Sequence, residues 1–108
     1  MAAYFTVIIS TYNRAASLEK TLRSIMVQTD NDFELIIGDD ASSDNTQEIV
    51  SSFTYKQVTY YRNDENSGLS FTRNRGLKLA KGDFVLLIDE DTELDPDFLR
   101  RLKVRITS

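Results

Sequence analysis

The chain contains neither cysteine nor histidine. Lack of cysteine excludes disulfides and thiolate metal sites, and lack of histidine removes the commonest general base and transition-metal ligand. Any metal held by these residues must be coordinated by oxygen, which favours magnesium or manganese. Glycine is missing from the segment Ser10 to Ala16 that follows the first apolar run. No stretch approaches the roughly 20 apolar residues of a membrane span, and Met1-Ala2-Ala3-Tyr4-Phe5-Thr6 puts no basic segment ahead of a signal-like core. The expected location is cytoplasmic, with membrane association left open for a longer parent protein. Basic residues are also in deficit, thirteen against seventeen acidic, for a net charge of -4. That balance argues against a general affinity for nucleic acid or anionic membranes.

What is present is an ordinary soluble composition, 41% hydrophobic and 28% charged over 108 residues. This suits one domain, 1–108, with a single core. Four apolar runs alternate with four helical stretches, the pattern of a parallel sheet with crossover helices. Strands are expected at about 4–10, 34–39, 57–62 and 83–88. The first and fourth are continuously apolar and branched, as strands covered on both faces must be, and are expected to be central in a complete fold. The third, Gln57-Val58-Thr59-Tyr60-Tyr61, is more polar and suits an edge.

Helices are expected at about 15–28, 44–52 and 69–80, with a fourth opening at Asp95. The first carries an apolar stripe, Leu18, Leu22, Ile25 and Met26. Any of Ser42, Ser43 and Asp44 could cap the second. Gly82 suits a left-handed close after the third. Asp95 as cap, Pro96 at the first position and a Leu94–Leu99 staple specify the start of the fourth.

The chemistry-bearing residues follow the apolar runs. Asp39 and Asp40 come after Leu35-Ile36-Ile37-Gly38, and Asp89-Glu90-Asp91 after Phe84-Val85-Leu86-Leu87-Ile88. In an open parallel sheet, ligands bind beyond the carboxyl ends of the strands, so both clusters reach one edge. Crowded carboxylates are tolerated when a divalent cation or hydroxyl donors sit among them. The plainer alternative is solvated loop acids. Strand one brings Ser10-Thr11-Tyr12-Asn13-Arg14 to the same edge, where a ring can stack on a nucleobase. A carboxylate there can accept a hydrogen bond from a pyrimidine ring N–H or a ribose hydroxyl. The run Asn66-Ser67-Gly68 to Gly76 leads into a helix start bearing Arg73 and Arg75, which could meet an anion. Arg75 is expected to face solvent or the opposite side of the helix start. Asp89 and Asp91, one residue apart, could hold a hard cation that bridges diphosphate oxygens.

The order of these motifs resembles the inverting nucleotide-sugar glycosyltransferases of family 2, whose donor-binding half has a GT-A fold. The matching stretches are Val7 to Arg14, Phe33 to Thr46, Asn66 to Gly76 and Ala80 to Asp91, nearly the whole chain. Two departures stand out: Ala41 where such a turn usually has glycine, and Glu90 where a small residue is common. The resemblance implies an α/β three-layer sandwich with a mainly parallel sheet, of truncated GT-A type. It implies a nucleoside-diphosphate sugar donor, a UDP-sugar first among the choices, a saccharide or lipid-linked acceptor, and Mn2+ or Mg2+. Ser10 and Tyr12 would contact the base, and Asp40, or in second place Asp39, would hydrogen-bond it. Arg73 would approach the diphosphate or sugar, Asp89 would contact ribose or metal-bound water, and Asp91 would hold the cation. No catalytic base is assigned, because the family's base lies further along the chain than Ser108.

The resemblance thus implies the amino-terminal, donor-binding half of a transferase, expected to be inactive alone and to self-associate through the unpaired edge of strand 83–88. Two rival functions are weighed. A sugar-phosphate nucleotidyltransferase would need a glycine-rich phosphate loop after strand one, which Ser10 to Ala16 does not supply. A phosphoacceptor signalling domain would place acids after that strand, where Ser-Thr-Tyr-Asn stands.

Overall fold

The computed structural model describes residues 3–53 and 57–107. Eight elements alternate: β1 Phe5–Thr11, α1 Ala15–Met26, β2 Phe33–Asp39, α2 Thr46–Ser51, β3 Val58–Arg62, α3 Leu69–Leu79, β4 Phe84–Asp89 and α4 Phe98–Thr107. The strands form one sheet in the order β3-β2-β1-β4, every pair parallel. The sandwich has three layers.

Strand periodicity sorts the side chains between those layers. Phe5, Val7 and Ile9 of β1 and Phe33, Leu35 and Ile37 of β2 point to one face, where they meet Leu18, Leu22 and Ile25 of α1, Val50 of α2 and Leu99 of α4. Ile8 and Ile36 point to the other, with Tyr61 of β3. That second face lies under α3, and its closeness depends on Gly38: a Cβ there would lie 2.6 Å from Tyr61 Cζ and 2.8 Å from Thr72 Cγ2. The edge position expected for strand three is observed.

Several expectations shift in detail. Helix α1 ends at Met26, two residues early, and Gln28 is buried as a polar anchor. Helix α2 shrinks to Thr46–Ser51. Asp44 is the effective cap: one carboxylate oxygen accepts Thr46 N–H at 3.1 Å and the other accepts Ala15 N–H at 3.2 Å, so it serves α1 as well. Asp95 accepts the Asp97 N–H at 2.9 Å as a cap should, but regular helix begins only at Phe98. Leu94 and Leu99 both pack into the main core.

Gly82 does not take the left-handed conformation; among the described residues the only glycine there is Gly68. The need for glycine at 82 is space, because a Cβ would lie 2.7 Å from the backbone of Phe5 and Thr6. Its N–H donates to Thr6 Oγ1 at 2.8 Å and to Glu34 Oε2 at 3.2 Å, which locks the start of β4 against β1 and β2.

Candidate functional site

The carboxyl ends of three strands finish level. Ser10 is in register with Gly38 on one side and Asp89 on the other, and Thr11 is in register with Asp39. Because β1 leads to β2 on one side while β4 lies on the other, the order of the sheet reverses beside β1, the position where such sheets form their ligand crevice. A cleft of about 230 Å³ opens there, lined by Ser10, Thr11, Tyr12, Asp40, Leu69, Thr72 and Glu90. A larger, shallower hollow of about 610 Å³ runs along α2 from Asp44 to Ser52.

Two loops are stitched together at the cleft mouth. Asn13 donates its N–H to Ser42 Oγ at 2.9 Å, and Asn13 Oδ1 accepts the Ser43 N–H at 2.7 Å. Asn13 and Ala41 both sit at positive φ, 51° and 66°. The glycine usual at position 41 is thereby explained, since a side chain at such φ costs about 1–2 kcal/mol.

The adjacent aspartates do different jobs. Asp39 is buried and turned under the loop, its Oδ1 accepting Ser42 N–H at 2.9 Å and its Oδ2 the Tyr60 hydroxyl at 2.6 Å. Burial and this carboxylate push the Tyr60 phenol well above its ordinary pKa, so it remains a donor. Asp40 faces the cleft. Its Oδ1 accepts Asn63 Nδ2 at 2.9 Å and Ser67 N–H at 2.7 Å, and its Oδ2 accepts Gly68 N–H at 2.9 Å. Burial alone would raise its pKa, but the Asn63 amide and the two backbone donors outweigh that and hold it below the usual carboxylate value. Asp40 therefore stays anionic, an acceptor with lone-pair capacity left over.

Asn63, buried, was not foreseen from the sequence. Its Nδ2 also donates to Thr72 Oγ1 at 2.9 Å, and its Oδ1 accepts Arg75 Nη1 at 2.9 Å. Arg75 lies over the Tyr61 ring, 4.5 Å from its centroid. Exposed as expected, Arg75 also holds the Asn63 amide in the orientation that serves Asp40. The available signal was that Asn63 directly follows strand three, the same strand-end position that marks Asp40.

On the β4 side, a tight turn closed by Thr92 N–H to Asp89 O at 3.1 Å displays the acidic triplet. Arg73 Nη2 lies 3.2 Å from Asp89 Oδ1, so α3 and β4 meet across the edge. Asp91 is exposed. Glu90 bends back into the cleft: burial raises its pKa, and Arg14, 3.7 Å away, partly offsets this. Ser10, Tyr12 and Asp40 thus converge on one cleft, Arg73 and Asp89 pair beside it, Asp91 stands on the adjoining turn, and Asp39 belongs to the scaffold. No three carboxylates among the described residues converge as a metal cage. Asp89 and Asp91 offer exposed carboxylate oxygens, the donor type that a magnesium-like cation takes.

The family model described as glycosyl transferase family 2 matches residues 6–107. The chain belongs to this family. A curated relative from Campylobacter jejuni, GalNAc(5)-diNAcBac-PP-undecaprenol beta-1,3-glucosyltransferase, is 38% identical over 92 residues, covering 82% of this chain and 30% of its own length. Among solved structures, S. aureus TarS 1-349 in complex with UDP superposes with a TM-score of 0.90 at 32% identity, over 99% of this chain and 32% of that one. A mannosyltransferase from Pyrobaculum calidifontis, in complex with GDP-Man and Mn2+, gives 0.76 at 29% identity, over 84% and 28%. The fold is therefore GT-A, and the chain spans about a third of the length of these glycosyltransferases.

Proposed function

We propose that the cleft binds the nucleoside end of a nucleoside-diphosphate sugar, a UDP-sugar first, and that the complete protein transfers the sugar to a hydroxyl of a saccharide or lipid-linked acceptor. The observation that carries this reading is the convergence of Ser10, Tyr12 and Asp40 on one cleft beside the 89–91 turn. At about 230 Å³ it suits a base and part of a ribose, smaller than the ~300–1,000 Å³ that buries a drug-sized ligand. Tyr12, 45% exposed, offers its ring for stacking. Asp40 accepts the ring N–H of uracil. The Ser10 hydroxyl oxygen is buried and finds no hydrogen-bond partner among the described residues, a condition that a polar ligand group would relieve.

The diphosphate then lies toward Arg73, whose guanidinium exchanges part of its pairing with Asp89 for phosphate oxygens. Asp89 and Asp91 would hold a divalent cation, which would supply charge neutralisation for the diphosphate leaving group. Support for donor and cation comes from the UDP of the TarS complex and the GDP-Man and Mn2+ of the mannosyltransferase complex.

Calorimetry tests the reading. UDP is expected to bind more tightly with Mn2+ than without, Asp91→Ala to remove that increment, and Tyr12→Ala to weaken binding in both conditions. An unmodified chain that binds UDP equally well with and without the ion would remove the cation from the account.

A further inference from the structure

The segment 90–97 between β4 and α4 has no regular secondary structure, yet its backbone is held at several points by one row of side chains on α1. Thr21, fully buried, donates its hydroxyl to the Glu90 carbonyl at 2.8 Å. One turn on, Ser24 Oγ accepts the Leu94 N–H at 3.0 Å while donating to Thr21 O at 2.7 Å. Just past the helix end, Gln28 donates to the Asp95 carbonyl at 2.7 Å and accepts the Leu99 N–H at 3.1 Å. Thr29 N–H adds a bond to Pro96 O at 2.9 Å. The spacing 21, 24 and 28 repeats along one side of the helix, next to the apolar stripe of Leu18, Leu22 and Ile25 that packs on the sheet.

A row of polar residues on a surface helix is ordinarily turned to water. Here each member bonds at least one backbone group of the 90–97 segment. The first of them grips residue 90, in the middle of the acidic triplet. The Glu90 carbonyl is thereby tied to α1 between Asp89 and Asp91.

We propose that Thr21 is a positioning residue that holds the 89–91 turn in place for the donor diphosphate, while Ser24 and Gln28 fix the segment that follows it. The proposal rests on the donor reading given above. Thr21 is the member closest to the carboxylates, so its loss acts mainly on them.

The test uses Thr21→Val, which keeps the shape and removes the hydroxyl, and Thr21→Ser, which restores it. Two quantities are read: UDP affinity with and without Mn2+, and backbone amide exchange of Asp91 to Leu94. Thr21→Val is expected to reduce UDP affinity about 5-fold in Mn2+, the equivalent of one hydrogen bond, and less than about 2-fold without it. Exchange of Asp91 to Leu94 should quicken about 5-fold while β1 and β2 amides stay as protected as before, and Thr21→Ser should restore both. An equal loss of affinity in the two conditions, unchanged exchange in the turn, or failure of Thr21→Ser to rescue would overturn the proposal. If the unmodified chain shows no Mn2+ dependence, the cation reading fails by itself, and exchange confined to the turn still decides whether the row holds it.

Discussion

Strands β1 and β4 are written in almost the same apolar alphabet and live in different surroundings. Phe5, Val7, Ile8 and Ile9 are each no more than 1% exposed, whereas Val85 and Leu87 of β4 are 40% and 48% exposed. The reason is placement. β1 has a strand on each side, α1 over one face and α3 reaching the other, while β4 is an edge strand whose inner face alone meets the core through Leu86 and Ile88. A continuous apolar run therefore records what the strand is built to be buried against, and β4 has surface to spare. The same contrast divides the site: Asp40 after β2 is enclosed by N–H donors, whereas Asp89 and Asp91 at the end of β4 are exposed.

The largest expected effect sets the two halves against each other directly. Ile37→Ala removes a fully packed side chain and is expected to cost about 3–5 kcal/mol in urea unfolding, while Leu87→Ala costs under about 1 kcal/mol. Equal losses would mean that β4 is as enclosed as β2, and the comparison would fall.

Next comes the enclosed carboxylate. Asp40→Ala leaves Asn63 and the N–H groups of Ser67 and Gly68 without their acceptor and is expected to cost about 2–3 kcal/mol. Asp89→Ala, at the exposed end, should stay within about 0.5 kcal/mol. The pH dependence follows from the lowered pKa of Asp40. Between its native value and the unfolded value near 3.8 the unfolded chain binds more protons, so this stabilisation is complete at neutral pH and is lost as pH falls below about 3.8. Asp40→Asn should flatten that part of the acid unfolding curve, and an unchanged curve would reassign the stabilisation to other acids such as Asp44, also lowered by its hydrogen bonds against the effect of burial.

A smaller effect probes the spare surface of β4. Its outer edge offers free backbone groups beside apolar side chains, so concentration-dependent self-association is expected, and Leu87→Lys should weaken it about 10-fold in sedimentation. A strict monomer at all concentrations would show that the edge is shielded. The smallest expected effect is a gain: Ala41→Gly relieves the positive φ at a modest entropic cost and should stabilise by about 0.5–1 kcal/mol in thermal unfolding.

The inner half of the molecule was legible because its signals are local and periodic. β1 and β2, the stripe of α1 and the delivery of Ser10, Tyr12 and Asp40 to one edge all follow from run lengths and strand ends. What escaped depends on contacts distant in sequence. Nothing in Asp39-Asp40 says which of the two turns under the loop, since Tyr60 and Asn63 decide it from another strand. Arg75 is exposed, as read, but its bond to Asn63 was not legible because that acceptor lies twelve residues away on β3's exit. Gly82 read as a helix terminator, although its role is the close passage of β1. Nothing local in Thr21 and Ser24 signals that the segment after β4 bonds to them from about 70 residues away.

One measurement bears most directly on the claim that the strand-end cleft is the nucleotide site: a UDP titration in Mn2+ followed at the backbone amides. The account predicts saturable shifts at Tyr12, Asp40, Ser67 and Gly68, and at Glu90 and Asp91 on the acidic turn, with little change along α2 from Thr46 to Ser51. Shifts concentrated along α2, or none at the cleft at saturating UDP, would contradict it.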